Sequence, residues 1–150
     1  MNRKALLIAL LTILTCKISL AQNSPEDIVS KFFDLYKTGS DTALNYIFST
    51  NKYFKENQDG VDDLKRKLNK VLAVDGQYWG YDLLWKKKAG DNFILLTFLV
   101  RHDRDPITFR LVFYKPHGTW VLQHFTFSTK MDEELEEASK VSLVKDASDK

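Results

Sequence analysis

Apolar positions in this chain change their rhythm at about residue 78, recurring at helical spacing before it and running in strand-length blocks after it. Ile28, Val29, Phe32, Phe33 and Tyr36 fall on one stripe of a predicted first helix. Its start is marked by Ser24-Pro25-Glu26-Asp27, in which Ser24 can cap, Pro25 suits the first turn, and the two acids suit the positive end of the helix dipole. Gly39 is a natural terminator. A second, shorter helix is predicted from Ser40 and Asp41 as caps and from Leu44, Ile47 and Phe48 at helical spacing. The polar stretch from Ser49 to Gly60 reads as a loop, with Tyr53 and Phe54 anchoring it to the core. A third helix follows, with Leu64, Leu68, Val71 and Leu72 on one side, Lys65, Arg66, Lys67 and Lys70 on another, and Asp75-Gly76 at its end.

Four strands are predicted beyond it, each separated from the next by turn residues as antiparallel neighbours are. They run from Tyr78 to Lys88, Phe93 to His102, Ile107 to Lys115 and Thr119 to Ser128. The second is almost wholly apolar, so both of its faces should be covered along part of its length. An acidic segment from Met131 to Ser139 suits a short terminal helix, and 141–150 reads as a flexible tail. The predicted fold class is α+β: N-terminal helices packed on a curved antiparallel sheet of about four strands, in a single domain spanning 22–140.

The first 21 residues read differently. Arg3 and Lys4 precede an apolar run from Ala5 to Leu14, and Ser19-Leu20-Ala21 offers the small residues that a signal peptidase requires. The expectation is a signal peptide cleaved after Ala21 and an exported product, periplasmic or secreted. Thr15 before Cys16 is a poor match to a lipid-attachment site, so lipidation there is the lesser alternative. The apolar run is shorter than the roughly 20 residues that cross a bilayer, and no later segment is a candidate span. Without Arg3, Lys4 and Lys17, the 22 basic residues of the chain fall to 19 against 20 acidic ones. A nearly neutral domain has no field to attract nucleic acid.

The closing stretch Gly118-Thr119-Trp120-Val121-Leu122-Gln123-His124-Phe125, together with helices followed by a meander, resembles the NTF2-like (cystatin-like) α+β superfamily over Pro25 to Ser128. The Ala21-Gln22 junction and the Lys-, Asn- and aromatic-rich composition look like small exported proteins of Bacteroidetes-type bacteria. The resemblance implies a curved sheet wrapped around the first helix, with a cone-shaped pocket on the concave side. In some members that pocket holds an isomerase, hydratase or cyclase site built on a carboxylate or an Asp-His pair.

Three histidines in three segments, with no cysteine partner and no His-x-x-x-His spacing, give no metal site, and nothing implies a cofactor. Strand alternation puts Trp120, Leu122, His124 and Thr126 on one face, and Thr108, Arg110, Val112 and Tyr114 together on another strand. Arg110 needs either a carboxylate partner, a ligand anion or solvent. Tyr36, Tyr78, Tyr81, Asp82, Arg110, Tyr114, Trp120 and His124 are the candidate pocket residues. Lys86, Lys87 and Lys88 suit the protection of a sheet edge. The leading expectation is non-catalytic binding of a small apolar ligand or a protein partner, with surplus apolar residues on the outer sheet face implying a partner or a homodimer. The alternative is a small isomerase or hydratase with Asp82 or His124 as general base and a tyrosine as donor.

Overall fold

The computed structural model describes residues 24–148, with side chains described to residue 139. The predicted signal peptide lies outside the described residues. Helix α1, Pro25–Tyr36, starts as its sequence requires. The Ser24 hydroxyl accepts from the Asp27 N–H at 3.1 Å, and the Asp27 carboxylate accepts from the Ser24 N–H at 3.0 Å, a reciprocal capping box. Donation to the Asp27 carboxylate from the Ser24 hydroxyl at 2.7 Å, and then from the Ser24 N–H, holds that carboxyl below its usual range. Helix α2, Ser40–Ser49, has Gly39 rather than Ser40 as its N-cap, and no side chain caps it. Ser40 and Asp41 instead bond Asn69 of helix α3, Gln58–Asp75, at 2.7 and 2.9 Å, tying the two helices together.

The segment predicted as a loop is ordered. A 3-10 helix covers Lys52–Asn57 and leads directly into α3. Asn51 starts it by accepting from the Tyr53 N–H and secures it by donating to the Leu122 carbonyl of the sheet at 2.8 Å. Phe54 packs edge-on against Phe48 at 4.8 Å, but Tyr53, expected as an anchor, points to solvent.

Four strands, β1 (Tyr78–Lys88), β2 (Phe93–His102), β3 (Ile107–Tyr114) and β4 (Val121–Ser128), pair antiparallel in chain order. The α+β class and the antiparallel sheet are as the sequence predicts. Register breaks interrupt β1 between Tyr78 and Gly80 and between Leu83 and Trp85, and interrupt the β3–β4 pair at Val112/Phe113. Each inserts one extra residue and bends its strand.

The core lies between the sheet and α1. Phe32 and Phe33 are wholly buried against Phe98, Phe109 and Phe125, and Ile107, Leu111 and Phe113 extend the same face. Each such side chain contributes roughly 2–3 kcal/mol on leaving water. Helix α4, Met131–Ser148, runs beyond Ser139 and returns to the opposite face of the sheet. There Met131 receives the Thr108 hydroxyl at 3.4 Å, and Glu134 pairs with Arg110. The outer face is therefore covered at one end, which a helix count from sequence did not reveal.

Candidate functional site

The helix-covered face, where the resemblance implies a pocket, is filled by aromatic rings. Tyr81 stacks on Phe33 at 3.7 Å, Tyr78 meets the edge of Tyr36 at 5.1 Å, and Tyr36 meets Phe109 at 5.6 Å. These three tyrosines are the candidates that the fold brings together, and they form a packed wall.

At the end of that wall the core becomes polar. The His102 Nδ1 lies 3.2 Å from the Gly76 carbonyl, which can only accept, so Nδ1 carries a proton. In the neutral ring Nε2 is then an acceptor, and the Tyr36 hydroxyl donates to it across 3.4 Å. Burial, reinforced by Tyr78 and Asp75, drives the Tyr36 phenol far above its usual range. Tyr78 is pushed up to about 12, first by burial and then by Tyr81. Its hydroxyl and one carboxylate oxygen of Asp75 are buried with no hydrogen-bond partner. Sequence reasoning passed over both Asp75 and His102. One was read as the end of a helix and the other as the end of a strand. The pairing of Asp103 N–H with the Gln77 carbonyl and of Arg104 N–H with the Asp75 carbonyl folds the β2–β3 turn over the end of α3, burying Asp75 and partly covering His102.

The other candidates stand apart. Asp82 lies on β1 and pairs with Arg101 at 3.2 Å, both more than half exposed. His124 lies on β4, exposed, beside a shallow hollow of 150 Å³ shared with Val61 and Leu64. Two strands separate it from Asp82. The register break leaves Gln123 unpaired, so Leu122 turns to the core with Phe125 while His124 faces outward opposite Val112. The predicted alternation from Trp120 through His124 is thus broken. Trp120 precedes β4 and lies under the Lys115 ammonium at 5.1 Å. Arg110, whose partner the sequence left open, has Glu134.

Beyond Glu134 the outer face remains open. Cross-strand register places Trp85, Leu95 and Val112 on it, with Phe93, Tyr114 and Val121 toward its far end. Trp85, Phe93 and Tyr114 are 42%, 39% and 40% exposed. Phe93 and Tyr114 contact each other at 6.3 Å, and Tyr114 and Val121 continue into a hollow of 470 Å³ walled by Tyr53 and Pro116. Among the described residues, no group of three or more His, Cys, Asp or Glu side chains could hold a metal ion. No described helix is long and apolar enough to cross a membrane. No family model, curated protein or solved structure matches the chain.

Proposed function

We propose that the chain is an exported, non-catalytic binding domain of NTF2-like type that takes a protein partner on the open end of its outer sheet face, the partner being a second copy of itself. One contrast carries this reading. The face beneath α1 is filled by wholly buried phenylalanines, whereas the outer face presents Trp85, Phe93 and Tyr114 to water around half-covered Leu95, Val112 and Val121. Aromatic side chains of this kind are the anchors that dominate protein interfaces, and a contiguous apolar patch on a small domain marks a contact site. A second copy suits the face because the near-neutral charge after export leaves little repulsion between identical molecules. A two-fold contact would also stack the same aromatic strip on itself. Asp82 and His124, far apart and exposed, give the isomerase or hydratase alternative no base held in a pocket.

Sedimentation of the purified chain over a range of concentrations tests the proposal. The expected result is a monomer–dimer equilibrium that Trp85→Glu shifts about thirtyfold or more toward monomer, the effect of losing one interface anchor. Circular dichroism should be unchanged, since the Trp85 side chain is already partly in water. A chain that stays monomeric at the highest attainable concentration would overturn the reading.

A further inference from the structure

We infer that the groove between the end of α3, the β2–β3 turn and the first turn of α4 binds a small organic cation, an amine carrying an apolar body, with Asp75 as its counter-ion. This groove of about 620 Å³ shares no lining residue with the aromatic end of the outer sheet face. Asp75 lines it while only 5% exposed, and its Oδ2 has no hydrogen-bond partner. A buried carboxylate oxygen without a donor is strongly unfavourable, more so than a neutral group would be.

The position worsens that cost. Asp75 is the last residue of α3, where the unpaired carbonyls already concentrate negative charge. A carboxylate at a helix C-terminus is repelled by its own helix, whereas a cation placed there is attracted by both. The cations at hand do not serve. Arg104 donates its backbone N–H to the Asp75 carbonyl, but its guanidinium turns to Asp105 at 3.4 Å. Lys70 lines the groove from five residues earlier on α3, but the Asp75 Oδ2 takes no hydrogen bond from it. Of the two other acids of the groove, Asp105 is paired with Arg104, and Asp132 lies in the first turn of α4, where the positive helix end offsets it.

The walls define the rest of the ligand. Val71, Val74, Pro106 and Met131 provide apolar surface around a single buried charge, and Val74 is 57% exposed. An alkyl or aryl body against these side chains, with an ammonium reaching Asp75, would satisfy both features at once. Bare metal ions fit poorly, because the described residues gather no set of ligands there.

Hexylammonium and neutral hexanol serve as probes, titrated into the full chain and followed by NMR. Hexylammonium is expected to shift the Val71, Val74 and Met131 methyl resonances saturably, and hexanol to leave them in place. The Asp75→Asn variant, nearly isosteric, is expected to bind hexylammonium about tenfold to a hundredfold more weakly, which is the value of a hydrogen bond to a charged partner. Its melting temperature should equal or exceed that of the parent, because an uncompensated charge has been removed. Failure of hexylammonium to shift these methyls, equal shifts with hexanol, or unchanged binding by Asp75→Asn would each overturn the inference. If Asp75→Asn does not fold, Asp75 has a structural role and the inference also falls.

Discussion

Replacing Phe33 with alanine is expected to destabilise the domain by about 3–5 kcal/mol, the usual cost of truncating a buried phenylalanine. The ring is wholly buried and lies at the centre of the aromatic wall. It stacks on Tyr81 at 3.7 Å, meets Phe32 edge-on at 5.1 Å and Phe98 at 5.3 Å, and faces Phe109 at 6.3 Å. These neighbours belong to α1 and to three different strands, so no single element can move to close the void. A loss of this size is a large fraction of the roughly 5–15 kcal/mol that holds a domain of this kind folded. Urea unfolding measures it directly. A loss below about 1 kcal/mol would mean that the space beneath α1 is loosely filled, and would return a ligand pocket to that face.

The second large effect is expected at Gly76. This residue ends α3 with φ at 78° and ψ at −151°, a conformation that side-chain-bearing residues avoid. A Cβ there would also stand 2.7 Å from Oδ2 and 3.0 Å from Cβ of Asp103. Asp103 cannot yield freely, because its carboxylate accepts from the Gln77 N–H at 2.8 Å and from the Trp79 indole. Those two bonds, the indole's first, hold the Asp103 carboxyl below its usual range. Gly76→Ala should therefore cost about 2–4 kcal/mol, combining backbone strain with a displaced carboxylate. A double-mutant cycle with Asp103→Ser separates the two contributions. The contact with the carboxylate should vanish in the pair, while the 3.0 Å approach to Cβ and the backbone strain remain. If Gly76→Ala were neutral, the chain would have to leave α3 by a different path.

The fold was legible wherever one local rule governed a whole element. Ser24 and Asp27 announced the start of α1 because a capping box needs only residues three apart. The apolar run from Phe93 to His102, with turn residues on both sides, fixed β2 to its ends. Around Lys52–Asn57 the pattern gave no period, and order came from Asn51 reaching a carbonyl seventy-odd residues away. The face of His124 was misread for a similar reason. A one-residue bulge reverses alternation, and no residue type near Gln123 requires one. Asp75 was legible as a helix end and illegible as a buried charge, since burial came from a turn beginning at Asp103. Exposed Tyr114 was nominated from its strand, but only the placement of α4 determines which end of the outer face stays open.

The connectivity of the core sets an order of events during folding. Every strand pairs with its neighbour in sequence, so the hairpins of β1 to β4 close short loops and form early. Helix α1 has α2 beside it, but its phenylalanine stripe packs on strands far along the chain. Phe32 finds Phe109 and Phe125 across most of the domain, so its docking waits until β4 exists. Pulse-labelled hydrogen exchange should accordingly protect β2 and β3 amides before those of α1. In a chain threaded N-terminus first through a membrane channel, the phenylalanine stripe would emerge first and be satisfied last. For such a chain that interval, rather than the finished structure, is when uncovered apolar surface invites aggregation.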